Sequence, residues 1–403
     1  MRLAYALFVV FLLSNIPSPL YPLWQMQMSF TAATTTVLFA VYQIGVLCGL
    51  LALARFAERR GSRWSMAATL GIAAAAAALF AVATEPWHLG LARFLSGIAS
   101  GVVVSYGAAT LTAHYAARGK VNGHRVAALS ITAGLALGPV MGGAFIDLVI
   151  KPAVSVFVVE GILLLGAGVA VALIRPAVPA PPLFRPAAPA NPVRGRISSG
   201  ARPPQLSLAL AVFTTCGIVC SIHMSVGSVY LASELGIHAG LAAGGMVSMV
   251  FAAGFLIQLA LTWSSLQAKS YWAMALGISG AAVLGYGILA ASVPAVFASA
   301  VLSGASQGAS QLAAMSIARE YLRDHDLTTG FVRLNVFGYS AGAATVLLAG
   351  ALVPAMGLSG AITLICAVAL AITTGTLIFF TVRRGLLKLV LAAAPEVSGI
   401  AAR

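Results

Sequence analysis

The stretch Gly134-Leu135-Ala136-Leu137-Gly138-Pro139-Val140-Met141-Gly142-Gly143 lies inside a run of apolar residues long enough to cross a bilayer. Gly134, Gly138 and Gly142 recur at every fourth position, so on a helix they form one bare stripe. A second helix can bring its backbone against that stripe far more closely than against Leu or Val. Lipid alone gives no reason for it. Pro139 lacks the N–H that would continue the helical ladder and is expected to bend the rod. The stretch therefore predicts a membrane helix pressed onto a partner helix and able to flex there.

The bulk composition agrees. The 403 residues are 60% hydrophobic and only 8% charged, with a mean hydropathy of +0.99, whereas soluble domains carry roughly 25% charged residues. The fold class expected is an all-α integral membrane protein. A net charge of +14 raises the question of nucleic acid. The charge, however, lies in short clusters between apolar runs, which suits lipid headgroups and excludes a nucleic-acid partner. Cys48, Cys216, Cys220 and Cys366 all fall within apolar runs and read as packing residues. Cys216, Cys220 and His223 lack a fourth ligand nearby, so neither a metal nor a cofactor is expected. Arg2 followed by an apolar core resembles a signal peptide, but no small-residue cleavage pattern follows, and Met1–Ser14 is kept within the first span.

Apolar runs of about 20 residues recur twelve times, near 3–22, 31–54, 64–84, 87–117, 123–149, 153–174, 206–232, 239–263, 271–291, 294–319, 328–353 and 358–382. Placing the N-terminus in the cytoplasm puts 21 of the 23 Lys and Arg residues on the inner side, leaving Lys151 outside and Arg93 within a span. Both termini are thus expected in the cytoplasm and the chain in the inner (plasma) membrane. Residues 175–205 hold five arginines and nine of the eighteen prolines, and read as a cytoplasmic linker. It divides the chain into a six-helix bundle over 1–174 and another over 206–382, with a cytoplasmic tail over 383–403. The halves repeat weakly. Gly97 and Gly101 answer to Gly304 and Gly308, Gly45 to Gly254, and Gly134 and Gly138 to Gly338 and Gly342, all at nearly one offset. Duplicated six-span halves place a site between them near the midplane, reached from each side in turn.

With these features in view, Ala54-Arg55-Phe56-Ala57-Glu58-Arg59-Arg60-Gly61-Ser62-Arg63 resembles the loop signature of the major facilitator superfamily, with Ala54 and Glu58 in place of its usual Gly and Asp. Arg93 with Gly97 resembles that family's span 4 motif. The opening stretch resembles the span 5 pattern of its drug/proton antiporter branches, and twelve spans would suit the shorter antiporter group. The resemblance implies that Glu58 meets the positive end of span 11's dipole while Arg59, Arg60, Gly61 and Arg63 complete a conformational latch. A solvated topogenic turn is the plainer alternative. It also implies that Gly134, Gly138, Pro139, Gly142 and Gly143 form an antiporter hinge and seal between the halves.

Four residues are candidates for proton coupling. Glu160 lies inside span 6 among Val158, Val159, Ile162 and Leu163, so it is protonated or paired, with Lys151 or Arg93 as structural partners. Arg93 needs a partner in span 1, such as Ser14 or Asn15, unless it snorkels to the headgroups. His223 and His114 titrate near neutrality but could be merely hydrogen-bonded. Asp147 and Lys151, four apart, are expected to pair with each other at the outer mouth of span 5. The cavity candidates are Asn15, Tyr21, Tyr42, Gln43, Tyr106, Thr215, Tyr230, Gln258, Gln307, Gln311, Asn335 and Tyr339. Rings and amides in apolar walls suit a moderately hydrophobic organic substrate rather than a sugar phosphate. The alternative for each is a plain interhelical hydrogen bond.

These residues imply a monomeric, proton-coupled exporter of small organic molecules: drugs, toxic metabolites or siderophore-like products. A proton-coupled importer and a non-transporting sensor on the same fold stay open. No nucleophile–base pair or phosphate loop supports an enzyme.

Overall fold

The structure is a computed structural model that describes residues 1–53, 62–120, 123–173, 204–321 and 324–393. Glu58, Arg59, Arg60 and Gly61 of the expected latch, and most of the expected linker, lie outside the described residues, as does the side chain of Arg63.

All regular structure in the described residues is helical. The helices are α1 (Arg2–Met28), α2 (32–53), α3 (Ser62–Ala81), α4 (Pro86–Ala116), α5 (Gly123–Leu148) and α6 (Pro152–Ala172). After the linker come α7 (204–233), α8 (Gly240–Ala260), α9 (Leu266–Leu289) and α10 (Val293–Tyr321). Gly357, at φ 72°, then divides α11 (324–356) from α12 (358–393). Helix α7 begins at Pro204, inside the linker expected over 175–205, and α12 runs on to Ala393, past the expected start of the tail at 383.

Nine helices among the described residues are long and apolar enough to cross a membrane, or ten if α7, bent by 48° before Gly227, is one span. One of the nine, Leu334–Val382, spans the turn at Gly357 and so covers two of the twelve expected crossings. The tenth expected crossing is α10, which Ser and Gln residues make more polar than its neighbours.

Local sequence starts these helices well. Pro86 and Pro152 occupy first-turn positions where no N–H is missed, and Ser265 caps α9 by accepting from the Ala268 amide at 3.2 Å. Arg2 donates to the Leu173 carbonyl at 2.7 Å, tying the start of α1 to the end of α6 on the face here called proximal. Helix α6 buries Val156, Phe157, Glu160, Leu164 and Ala167 and exposes Ile162, Leu165 and Val169, as a helix between protein and lipid should.

The internal repeat is visible in how glycines seat helices. A Cβ on Gly97 or Gly101 of α4 would strike the Tyr42 or Val46 carbonyl of α2. In the second half, a Cβ on Gly304 or Gly308 of α10 would strike the Val250 or Gly254 carbonyl of α8. Thus α2–α4 and α8–α10 are the same backbone contact made twice.

Helix α5 corrects one expectation. It passes through Pro139 as one continuous helix, and its stripe does not face the other half. Gly134 and Gly138 lie on the Phe8 and Leu12 carbonyls of α1, and Gly142 on that of Ile16. Of the five expected hinge residues, Pro139 and Gly143 are the ones shown reaching across: Gly143 meets Gly240, and Gly244 lies on the Pro139 carbonyl. The reason is periodicity, because residues four apart share a face while Pro139 and Gly143 sit about 100° round from Gly138 and Gly142.

Candidate functional site

The site is the seam between the halves, made by α2 against α11 and by α5 against α8, with α1 and α7 contributing. The seam contacts run from the middle of the bundle to its distal end. At the end, both oxygens of Asp147 accept amide hydrogens from the start of α8, Gly240 at 2.7 Å and Leu241 at 2.8 Å. The carboxylate thereby caps the N-terminus of a helix in the other half. The expected Asp147–Lys151 pair is thus replaced, and Lys151 instead occupies the position before α6. An isolated sequence could not show this contact, because 93 residues separate Asp147 from Gly240.

Deeper in the seam, Pro22 lacks the N–H that would bond the Ser18 carbonyl four residues back. Ser228 of α7 takes that free carbonyl at 2.7 Å. Ser248 of α8 donates to the Ala136 carbonyl of α5 at 2.6 Å, and Gly350 of α11 is pressed onto Thr36 of α2. At the middle, the Gln43 amide of α2 and the Ser221 hydroxyl of α7 both face Gly342 of α11.

Beside this seam sits Arg93, which is 1% exposed and so does not snorkel. Its Nε donates to Tyr21 Oη at 2.6 Å and its Nη1 to the Ser14 carbonyl at 2.7 Å. The guanidinium carbon lies 5.2 Å from the Tyr21 ring centre and 5.5 Å from that of Tyr42. Tyr21 meets Trp24 edge-on, and Trp24 stacks on Phe80 and Phe157, one turn before Glu160.

Glu160 is wholly buried, and neither carboxylate oxygen has a hydrogen-bond partner. Lys151 and Arg93, its expected structural partners, do not bond it. The surroundings therefore accommodate the neutral acid. It belongs to the packing of α6 within the first half and is away from the seam.

His223 is buried on α7 at the turn before the bend. Its Nδ1 lies 3.0 Å from the Val219 carbonyl, so that nitrogen carries a hydrogen. Nε2 lies 2.8 Å from Ser299 Oγ, which is itself 2.7 Å from the Val296 carbonyl. The hydroxyl can donate to a neutral ring, or accept from a charged one while donating to Val296. The ring keeps both partners in either charge state. His114, by contrast, is at the proximal end and contacts Arg118.

Of the cavity candidates, Tyr21, Tyr42 and Gln43 gather around Arg93 and the seam, and Asn15 follows Ser14, whose carbonyl holds Arg93. Tyr339 of α11 lies within electrostatic reach of Tyr42. Gln307 faces Gly217 of α7. Others stay apart. Thr215 bonds its own helix at Ala211, and Gln258 donates to Gln311 between α8 and α10. Tyr230 is buried near the distal end of α7; Tyr106 and Asn335 are buried and engaged. Among the described residues no cluster of His, Cys, Asp and Glu could hold a metal.

Two helical bundles closed on each other at one end, with polar groups held in an apolar seam, define a membrane carrier. The sequence matches the Major Facilitator Superfamily over residues 3–292, and the chain belongs to that family. No curated protein matches it significantly. Among solved structures it is similar to the nucleoside transporter NupG (TM-score 0.71, 11% identity, 94% of this chain and 98% of that one). It is also similar to a POT family transporter in complex with 5-aminolevulinic acid (0.72, 14%, 94% and 95%). A third is the human organic anion transporter MFSD10 (0.62, 17%, 93% and 99%). At these identities the likeness is one of fold.

Proposed function

We propose that this transporter exports small organic compounds in exchange for protons, with both termini in the cytoplasm. The conformation described is then closed to the outside. The observation that carries the proposal is Glu160, a carboxyl group buried between helices with neither oxygen bonded. It fits there as the neutral acid, so gaining or losing a proton changes how well α6 packs. A proton with different affinity for two packings can drive one into the other. The span 5 glycine pattern supports export, and the solutes named for the structural neighbours, nucleosides, 5-aminolevulinic acid and organic anions, are all small organic molecules.

The test uses proteoliposomes with an imposed pH gradient and radiolabelled benzoate, benzamide and benzylammonium as solutes. Gradient-driven accumulation of at least one is expected, and Glu160→Gln should lose that accumulation while remaining folded. Equal movement without a gradient would remove proton coupling. Wild-type accumulation by Glu160→Gln would return Glu160 to a packing role.

A further inference from the structure

Among the described residues Arg93 is a cation without a counter-charge. Of its three nitrogens, Nε and Nη1 are bonded to uncharged oxygens, and Nη2 is buried with no partner. The rings of Tyr21 and Tyr42 soften the cost of burying the charge but carry no opposite charge. A second donor is idle close by: Asn15 Nδ2, one residue beyond the Ser14 carbonyl that holds Nη1, is also buried and unpartnered. From Arg93 the polar atoms lead into the seam. Tyr42 lies under the guanidinium, and the adjacent Gln43, whose Oε1 has no partner, reaches Gly342 of α11.

We propose that the transported compound is an organic carboxylic acid in its anionic form, whose carboxylate binds Arg93 Nη2 and Asn15 Nδ2 while its body lies along Tyr42 and Gln43. This rests on the reading of the chain as a transporter of small organic compounds and names their class. A carboxylate supplies the missing charge and offers an acceptor to both idle donors; a neutral amide offers the acceptor without the charge, and an ammonium offers neither. In the distal-closed state Tyr42 and Gln43 are almost fully covered, so the anion enters when the seam between α2 and α11 parts.

The test compares three solutes of one shape and different charge, benzoate, benzamide and benzylammonium, on the purified full-length chain. Binding is read by calorimetry and thermal stabilisation, and exchange by counterflow in proteoliposomes. Benzoate is expected to bind tightest. Arg93→Gln should weaken benzoate about tenfold or more, the loss of one charge-assisted pair, and weaken benzamide much less. Arg93→Lys should fall between, and Asn15→Ala should weaken benzoate more than benzamide; both remain informative if Arg93→Gln does not fold. Benzamide or benzylammonium binding as tightly as benzoate overturns the proposal. So does unchanged benzoate affinity in Arg93→Gln, or no benzoate binding at millimolar concentration. Benzoate binding without counterflow would sink the transporter reading and leave the site standing. Exchange of benzylammonium but not benzoate would do the reverse.

Discussion

Helix α5 carries two glycine-lined contacts that differ in what they join. Gly134, Gly138 and Gly142 press on α1, a helix of the same half, whereas Pro139 and Gly143 meet Gly244 and Gly240 of α8 in the other half. The first contact is made mainly to backbone and lies within one bundle. The second is flanked by hydrogen bonds that a separation of the halves would break and re-form, those of Asp147 and Ser248. Close approach of backbones is thus used for two purposes on one helix, permanent assembly on one face and reversible closure on the other. Damage to the first should appear as lost folding, and damage to the second as a shifted conformational balance.

The largest effect should come from Gly138→Leu. A Cβ there meets the Leu12 carbonyl and the Ile16 amide nitrogen, backbone atoms that cannot step aside, so α1 and α5 must separate along their length. Overpacking of this kind costs about 1–3 kcal/mol and at times more. The expected outcome is loss of monodisperse protein, or a large fall in its unfolding temperature, measured in detergent. Gly244→Leu makes the same kind of clash with the Pro139 carbonyl, but across the halves. It should leave a folded protein that no longer closes distally. Spin labels on the exposed residues Ile150 and His238 should report a longer distance across the distal end. If Gly244→Leu instead fails to fold, the two faces are not functionally distinct.

The sequence displayed the first contact and concealed the second for a physical reason. A spacing of four marks the stripe, and the helical repeat alone predicts that it will be packed closely. Which helix packs there depends on how distant segments meet. The stripe was accordingly expected at the seam and lies on α1. The glycines shared by the two halves were legible for the same local reason, and Gly97 and Gly304 make equivalent contacts. The cap by Asp147 was not, because the nearer Lys151, one turn away, offered a simpler partner. Arg93 was visible as a misplaced charge, and the Ser14 partner could be guessed from proximity in the topology. The Tyr21 and Tyr42 rings around it depend on how α1, α2 and α4 meet, which local spacing does not encode.

Asp147→Ala sharpens the comparison further, because it removes an attraction at the seam without adding bulk. Both carboxylate oxygens are engaged with amides that open a helix, where negative charge is favoured by the local dipole. Loss of a capping side chain costs about 0.5–2 kcal/mol. Charged to the closed state alone, that is a shift of about two- to thirtyfold toward distal opening. The same pair of spin labels should show a second, longer distance gaining population, with the unfolding temperature little changed. An unaltered distribution would mean that the cap follows closure and does not hold it.

Ser248→Ala should have the smallest effect, and its smallness is informative. The hydroxyl donates to the Ala136 carbonyl at 2.6 Å, yet that carbonyl keeps its acceptor role within α5, since Val140 four residues on retains its N–H. Removing Ser248 therefore strands no buried group on the far side. Such interhelical bonds average about 0.6 kcal/mol in membranes, equivalent to a roughly threefold change in population. Because Ser248 follows Gly244 by one turn, it shares the face that closes on α5. Its loss should move the label distances in the same direction as Asp147→Ala, but less. A shift as large as that of Asp147→Ala would mean that the seam is held by hydroxyl bonding at its middle, and that the carboxylate at its rim only completes the end of α8.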